Sequence, residues 1–418
     1  MPTRLLDYAR SRANAASSMT GRAKPTYKNI ALVLASLVFS LSLIELALRL
    51  LGWSFPIFAQ PDSNLGWSFR PRLQGWATHE NTAYVHINRL GFRGADWAQE
   101  ARGFRIAVLG DSFADSSNLP EEQALTTVIQ QNLRACPAFA DGIEVLNLGV
   151  SGYGTGQEYV LLTTRLEALR PDMVLLAFYA GNDVANNARA LSEPGQTEKP
   201  YFSVSPEGGL VLDDSFRASA TFRNTVARDW SKRMINASYL LQAFKQLAAG
   251  KSVIPEPKSL DPVHVGDVAR PPLFAPEYIE LFAPPRDQTW AGAWAVTEKV
   301  LTSMREWAQA RRVQFGIIII PAPIQVLPTP ELRRAATAKF GLEDLEYPVE
   351  RIARAAQSTE IPFLDLRDPL RKEGDAKQIF LYGFSPRYGD GHLNAVGNSV
   401  SGDTIAAWVC EQRAAHQQ

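Results

Sequence analysis

The sequence predicts an α/β fold, a mostly parallel sheet of five strands with helices on both faces. Five short runs rich in apolar residues have the length of buried strands, and segments with helical spacing alternate with them. The 418-residue chain is 46% hydrophobic, so it can form a large core. Such alternation of strands and helices is typical of α/β domains in which the strands run parallel.

The strands and helices follow one another from residue 104 onward. Strands are predicted at residues 105–110, 143–148, 172–179, 314–320 and 361–366. Helices are predicted at residues 121–135, 156–169, 287–312, 347–357 and 394–412. Asp287 or Thr289 is the expected N-cap of the long helix. We assume the spatial strand order 2-1-3-4-5, in which right-handed crossovers cover both faces of the sheet.

An insertion at about residues 190–286 interrupts this alternation after the third strand. Residues 201–216 resemble a hairpin with its turn at 206–209, and residues 219–249 have helical character. The Pro-rich segment 251–286 is expected to be irregular. An insertion at this place either covers a site or elaborates the surface, and both alternatives stay open.

The N-terminal region predicts a membrane anchor. Residues 30–51 form an apolar run of 22 residues, long enough for a helix to cross a hydrocarbon core of ~30 Å. Asp7 is the one acid before it, against six basic residues: Arg4, Arg10, Arg12, Arg22, Lys24 and Lys28. By the positive-inside rule the N-terminus is cytoplasmic. A cleaved signal peptide is the main alternative, and a buried core helix is a further one.

These observations divide the chain into four parts. A cytoplasmic tail (1–29) precedes a transmembrane signal anchor (30–52) and a juxtamembrane segment (53–103) that we expect to pack on the outside of the main domain. The α/β domain (104–418) would then lie in the periplasm or outside the cell, held to the inner membrane by a single pass. Lys plus Arg (43) balances Asp plus Glu (43), so bulk charge gives no reason to expect a nucleic-acid partner.

Four polar blocks converge on one edge of the predicted sheet, because ligands bind beyond the carboxyl ends of parallel strands. The blocks are Gly110-Asp111-Ser112, Asn147–Gly154, Gly181-Asn182-Asp183 and Gly389–Asn394. Taken singly, each block is also explained by a turn, a helix cap or a surface histidine. Together they supply a nucleophile, oxyanion donors and an Asp/His pair.

In these blocks the chain resembles the SGNH hydrolases, also called the GDSL esterase/lipase superfamily. Ser112 in GDSF, Gly152 in NLGVSGYG, Asn182 in GND and His392 in DGHLN match the four residues that name the family. The resemblance implies a three-layer, flavodoxin-like α/β/α fold. Many members place two residues between the last-block Asp and His, whereas only Gly391 separates Asp390 from His392 here.

The chemistry of these residues agrees with the resemblance. Ser112 needs a base to become a nucleophile, and His392, oriented by Asp390, is the predicted base. The other histidines lie in the juxtamembrane segment, the insertion and the C-terminus. The backbone N–H groups of Ser112 and Gly152 and the amide of Asn182 are the predicted oxyanion hole. Asp390-x-His392 could instead begin a metal site, but the sequence offers no further ligands at suitable spacing, so no metal or cofactor is predicted.

Cys136 and Cys410 are the two cysteines of the chain, and the predicted compartment is oxidising. In the assumed strand order the first and last helices lie on one face and end at the edge opposite the site, so a disulfide is geometrically sensible. Two buried free thiols are the alternative.

The predicted function is cleavage or transfer of an O-acyl group, most readily acetyl, from an acylated glycan or lipid of the envelope. Hydrolase and transferase differ only in whether water or a hydroxyl reaches the acyl-enzyme, and the sequence does not separate them. A non-catalytic envelope scaffold or binding protein with the same fold is the competing class.

Overall fold

The structure, a computed structural model, describes residues 27–98, 103–269 and 271–417. Two compact units are present, residues 1–52 and residues 53–418. The described part of the first unit is one helix, α1 (Tyr27–Leu50), which is long and apolar enough by length and composition to cross a membrane. Nearly all of the predicted cytoplasmic tail, residues 1–26, lies outside the described residues.

The second unit contains the predicted parallel sheet and several small hairpins. The strands are β1 (Ala59–Asp62), β2 (Gly66–Phe69), β3 (Gln74–Thr78), β4 (Thr82–His86), β5 (Phe104–Gly110), β6 (Ile143–Gly149), β7 (Met173–Tyr179), β8 (Tyr201–Val204), β9 (Leu210–Asp213), β10 (Gln314–Ile320) and β11 (Phe363–Asp365). The central sheet has the order β11-β10-β7-β5-β6, and its neighbouring strands are parallel. This order confirms the predicted 2-1-3-4-5 arrangement.

Helices cover the sheet and also form part of the insertion. They are α2 (Ser112–Asp115), α3 (Leu125–Leu133), α4 (Thr155–Arg165), α5 (Asp183–Asn186), α6 (Ala220–Ala227), α7 (Asp229–Ala237), α8 (Tyr239–Ala248), α9 (Gln288–Arg311), α10 (Pro330–Phe340), α11 (Tyr347–Ser358), α12 (Arg367–Lys377) and α13 (Ala395–Gln417). Asp287 caps α9 by accepting a hydrogen bond from the Trp290 N–H at 2.9 Å. Helices α10 and α12 were not predicted.

Alternating side chains of each strand enter two separate hydrophobic cores. Along β5, Ala107 and Leu109 belong to one core, while Ile106 and Val108 belong to the other. Both cores are buried because helices cover both faces of the sheet. For this reason the strand sequences are continuous apolar runs and do not alternate with polar residues. The predicted three-layer α/β/α arrangement is confirmed.

The juxtamembrane segment is more ordered and more central than the sequence predicts. Two antiparallel pairs, β1 with β2 and β3 with β4, lie within its residues 59–86. Leu65, Val85 and Ile87 are buried in the main core, so the segment belongs to the same compact unit as the sheet. The expectation of a covering layer outside the domain is therefore wrong. Short strands with Gly, Pro and Arg between them gave too little alternation to reveal the hairpins.

The two cysteines are joined by a disulfide, Cys136–Cys410, with the Cα atoms 6.1 Å apart. Cys136 follows α3 and Cys410 lies in α13. These two helices pack closely, since a Cβ on Gly402 would meet Val128 at 2.6 Å. In the structure the pair is bonded, and the alternative of two free thiols is not found.

Candidate active site

Ser112 stands at the carboxyl end of β5, and His392 faces it from the turn before α13. The strand ends at Gly110, and Asp111 caps the one-turn helix α2 by accepting a hydrogen bond from the Phe113 N–H at 2.8 Å. The Nε2 atom of His392 lies 2.7 Å from the Oγ of Ser112. The predicted nucleophile and base are therefore within hydrogen-bond reach, as nucleophilic catalysis requires.

Glu80, which the sequence did not indicate, is the acid that contacts His392. It lies in the turn between β3 and β4. Its Oε1 is 2.9 Å from the Nδ1 of His392, and its Oε2 accepts a hydrogen bond from the His392 backbone N–H at 3.0 Å. Both carboxylate oxygens thus hold one residue, which fixes the ring with Nδ1–H toward Glu80 and Nε2 toward Ser112. The one signal in the sequence was a polar turn, His79-Glu80-Asn81, between two short segments that the sequence did not reveal as strands.

Asp390, the predicted partner of His392, points elsewhere. Its Oδ2 accepts a hydrogen bond from the Nε of Arg387 at 2.9 Å, in an ion pair near the surface. Gly391 has φ +72°, and a Cβ at that position would come within 2.2 Å of the Glu80 carboxylate. The sharp turn at Gly391 makes room for Glu80 beside the imidazole. The assignment of Asp390 is therefore wrong, because the single-residue spacing does not bring its carboxylate to His392.

The electrostatic interactions among Ser112, His392 and Glu80 favour an ionised Glu80 and a basic His392. Burial alone would raise the pKa of Glu80, but the hydrogen bonds and charge of His392 bring it below its usual value. Burial alone would lower the pKa of His392, but the contact with Glu80 raises it overall. Burial raises the pKa of Asp111 to about 6, even though the Phe113 N–H and His392 counteract the rise. Glu80 is therefore the group that supports a cation on His392.

Gly152 and Asn182 line the same cleft as Ser112 and His392, a cavity of about 470 Å³. Gly152 has φ +81°, and a Cβ there would lie 3.0 Å from the Oε1 of Gln196, so a larger residue would strain this turn. Asn182 precedes α5, and its Oδ1 is buried without a partner among the described residues. The structure thus brings both predicted oxyanion residues to the mouth of the site. Asp183 supports the turn, with its Oδ2 accepting from the Tyr179 N–H at 2.8 Å.

The insertion covers this cleft and adds an acid that sequence reasoning missed. Glu277 lines the cavity together with Asn182. Burial, with the neighbouring charges of Glu193 and Asp111, raises the pKa of Glu277 to about 7. Glu193 lines the same cavity, and within the described ranges neither Glu193 nor Glu277 forms an ion pair. The insertion was expected either to cover a site or to elaborate the surface. Its segment 274–277 lines the cleft, so at least this part covers the site.

One cluster in the described chain has the composition of a metal site. The ligating atoms of His79, Glu80 and His392 lie within 4.8 Å of one another. However, both ring nitrogens of His392 are already engaged, one by Ser112 and one by Glu80. A metal ion on His392 would have to replace one of these two contacts. The geometry fits proton transfer better than metal binding.

Comparisons with known proteins found no matching family model and no matching curated protein. Solved structures of three esterases or lipases are similar. An acetyl xylan esterase has 12% identity and a TM-score of 0.37, with 73% of this chain and 100% of that chain covered. A GDSL-like lipase from Bacteroides thetaiotaomicron has 12% identity and a TM-score of 0.32, with 76% and 92% covered. A catalytic mutant of an acetylxylan esterase from Geobacillus stearothermophilus has 13% identity and a TM-score of 0.34, with 74% and 95% covered.

The order of the five parallel strands agrees with the fold that the resemblance implied. The four signature residues lie at the carboxyl edge of that sheet, around one cleft. In fold and in the order of Ser112, Gly152, Asn182 and His392, the chain is similar to the SGNH hydrolase superfamily.

Proposed function

We propose that this protein is a serine-dependent esterase or O-acyltransferase that works through an acyl-enzyme on Ser112. The observation that carries the proposal is the continuous contact from Ser112 Oγ to His392 Nε2, and from His392 Nδ1 to Glu80. A nucleophile, a base and an acid that orients the base form the minimal set for acyl transfer by serine. No metal or cofactor is needed for this chemistry.

In the first step, the Oγ of Ser112 attacks the carbonyl carbon of the ester, and His392 Nε2 takes the hydroxyl proton. Glu80 stays ionised and stabilises the imidazolium that forms. The carbonyl oxygen becomes an oxyanion, for which the N–H groups of Ser112 and Gly152 and the amide of Asn182 are the proposed donors. His392 then returns the proton to the leaving alkoxide as the C–O bond breaks. An alcohol departs, and the acyl group stays on Ser112.

In the second step, an acceptor hydroxyl replaces the alcohol. His392 takes the proton of that hydroxyl, the new oxygen attacks the acyl carbon, and Ser112 leaves with the proton returned to it. Water as acceptor gives hydrolysis, whereas a sugar hydroxyl gives transfer. Both outcomes use the same residues, so the proposal includes both.

The proposed substrate is an acylated glycan or lipid of the cell envelope, with acetyl as the preferred acyl group. The support is α1, which we propose anchors the chain in the inner membrane with residues 53–418 on the outer side. An enzyme held there meets exported glycans and membrane lipids, and a cavity of about 470 Å³ accommodates a short acyl chain with part of a sugar or a headgroup.

A fluorophosphonate probe tests the serine directly. We expect the wild-type chain to be labelled and to hydrolyse p-nitrophenyl acetate, and Ser112→Ala to do neither. Ser117→Ala is a matched control, because Ser117 lines the same cavity but hydrogen-bonds to Asp115 at 2.6 Å rather than to His392. If the wild type is neither labelled nor active, the chain is better described as an envelope scaffold with this fold.

A partition experiment then separates hydrolysis from transfer. The acyl-enzyme is formed from p-nitrophenyl acetate in the presence of increasing concentrations of a soluble oligosaccharide. A transferase moves acetyl to sugar faster than to water, and p-nitrophenol release rises with acceptor concentration. A hydrolase releases acetate at a rate that does not depend on the oligosaccharide.

A further inference from the structure

Two helices of the insertion, α7 and α8, turn polar side chains inward and apolar side chains outward. On α8, Gln242 is 1% exposed and Gln246 is 7% exposed, whereas Phe244 is 69% exposed and Leu247 is 61% exposed. A helix of a soluble domain normally buries its apolar stripe against the core. The inverted arrangement indicates that the outer face of α8 contacts something apolar.

Helix α7 repeats the inversion. Its first residue, Asp229, is buried in an ion pair with Arg70, while Trp230 and Met234 are 67% and 57% exposed. Trp230 and Met234 are four residues apart and therefore share one side of the helix. We call the exposed apolar residues of this region the outer apolar face; its members are Val226, Trp230, Met234, Leu241, Phe244 and Leu247.

The buried polar side chains attach both helices to the segment that follows α1. The Oε1 of Gln242 accepts hydrogen bonds from the Ser54 hydroxyl at 2.9 Å and from the Phe55 N–H at 2.6 Å. The amide of Asn236 accepts from the Ile57 N–H at 2.8 Å and donates to the Ile57 carbonyl at 3.0 Å. The polar sides of α7 and α8 are thus used to hold residues 54–57, which leaves the apolar sides outward.

The covalent chain limits how far this face can be from α1. Leu50 ends α1 and Ser54 is hydrogen-bonded to Gln242 of α8, so three residues lie between them and the chain makes four Cα–Cα steps. Fully extended, four such steps reach about 14 Å. If α1 spans a bilayer, as proposed above, the covalent chain keeps Ser54 and its contact on α8 within that distance of the end of α1. This is comparable with the depth of the headgroup region and the boundary with the acyl chains.

The charge of the region fits an anionic lipid surface. Residues 220–251 contain one acid, the ion-paired Asp229, and six basic residues: Arg223, Arg228, Lys232, Arg233, Lys245 and Lys251. Lys232 and Lys251 are close enough to Lys245 to lower its pKa by charge repulsion, in addition to the effect of burial. Tryptophan and basic residues around an apolar stripe are typical of helices that lie in the membrane interface.

We propose that the outer apolar face inserts into the headgroup region of the membrane that α1 crosses, so that the domain lies on the bilayer at α7 and α8. The occupant is the bilayer surface, and anionic phospholipid is the preferred component. The inference depends on the proposed anchor, but not on the esterase chemistry. It gives the insertion a second role besides lining the candidate site.

The test uses the full chain in vesicles of phosphatidylethanolamine and phosphatidylglycerol that contain doxyl-labelled lipid. Phe244→Cys is labelled with the fluorophore NBD, since both native cysteines are in the disulfide. Val211→Cys, on the exposed β8–β9 hairpin, is the matched control because Val211 is 51% exposed. We expect roughly half or more of the NBD fluorescence at position 244 to be quenched, because a residue ~5–10 Å below the surface lies near the doxyl groups. Position 211 should keep its fluorescence.

Several outcomes would overturn the inference. No quenching at position 244 would show that the face does not insert, and equal quenching at both positions would show that lipid contact is not specific to this face. Release of the full chain by alkaline carbonate would remove the anchor on which the inference depends. Protection of the label that rises with protein concentration in detergent would identify a second copy as the occupant. Turnover of p-nitrophenyl acetate in the same vesicles tests the serine chemistry separately, so failure of one proposal is distinguishable from failure of the other.

Discussion

The candidate active site is assembled from two regions that the chain specifies in different ways. Ser112, Gly152 and Asn182 stand at strand ends of the central sheet, where the fold itself places them. Glu80 and Glu277 come from a hairpin before the sheet and from the insertion, and they reach the cleft only through tertiary packing. The sheet therefore holds the groups that we propose react with the carbonyl. The peripheral segments provide the acids around them.

This difference suits the different tasks proposed for the two sets of residues. A strand end in a parallel sheet is rigid because both neighbouring strands and two helical layers hold it, which suits a nucleophile and oxyanion donors that need fixed geometry. A loop can bring an acid to the histidine from any of several directions. In this chain Asp390 is two residues from His392 in sequence but hydrogen-bonded to Arg387, whereas Glu80 is 312 residues away and hydrogen-bonded to His392.

Substituting each of the two acids, Glu80 and Asp390, gives the most direct test of this difference. We expect Glu80→Gln to lower kcat by about 10²–10⁴-fold, because the amide neither stabilises the imidazolium nor fixes its tautomer. Asp390→Asn should change kcat by less than about threefold, because a near-surface ion pair contributes ~0–1 kcal/mol. Steady-state kinetics on p-nitrophenyl acetate measure both.

The same pair of variants has a pH signature. Glu80 raises the pKa of His392, so Glu80→Gln should lower that pKa and move the acidic limb of kcat/KM to lower pH. Asp390→Asn should leave the limb in place. A large loss in Asp390→Asn together with an unchanged Glu80→Gln would restore the assignment made from sequence.

Asn182→Ala tests the strand-end side of the comparison. We expect kcat to fall by about 10²–10³-fold, since loss of one oxyanion donor removes ~3–4 kcal/mol of transition-state stabilisation. KM should change little, because the donor contacts charge that develops only in the transition state. Asn186→Ala is a control on the same cavity wall. A rise in KM with an unchanged kcat would instead assign Asn182 to substrate binding.

The sequence predicted the strand-end half of the site and missed the peripheral half for a physical reason. Apolar runs that end in glycine mark the edge of a parallel sheet, so Ser112, Gly152 and Asn182 could be placed together from pattern alone. No local pattern connects the turn at Glu80 with the turn at His392, because their contact depends on how the β3–β4 hairpin packs. Gly391 was noticed as a short spacing, but its function, making room for Glu80, needed three dimensions.

A smaller effect is expected from the insertion's acid. The pKa of Glu277 is raised to about 7, so this group ionises as pH rises through neutrality and then places a negative charge beside Asn182. Glu277→Gln should match wild-type kcat/KM at about pH 6 and exceed it roughly two- to tenfold at about pH 8, since the like charge opposes the oxyanion.

A second variant sharpens the test of Glu277. Glu193 raises the pKa of Glu277, so Glu193→Gln should move the alkaline decline of kcat/KM to lower pH without abolishing it. Parallel pH profiles for the wild type and Glu277→Gln would show that Glu277 does not influence the oxyanion.

The disulfide should affect turnover least, because it lies at the far edge of the sheet. Phe104 begins β5 and packs on Phe139, three residues after Cys136, with ring centroids 5.4 Å apart. Gly110 ends the same strand, so roughly 20 Å of strand separate the disulfide edge from Ser112. Replacing both cysteines with serine should lower the free energy of unfolding by about 2–5 kcal/mol, because the bond closes a very long loop in the unfolded chain.

Denaturant unfolding measures that loss, and kinetics at 25 °C should give an unchanged kcat/KM for the folded variant. An equal loss of kcat and stability would mean that the two edges of the sheet are coupled. That result would contradict the view that strand ends hold the reacting groups independently of their surroundings. The disulfide variant therefore tests the rigidity of the sheet itself, whereas the variants at Glu80 and Glu277 test the segments packed around it.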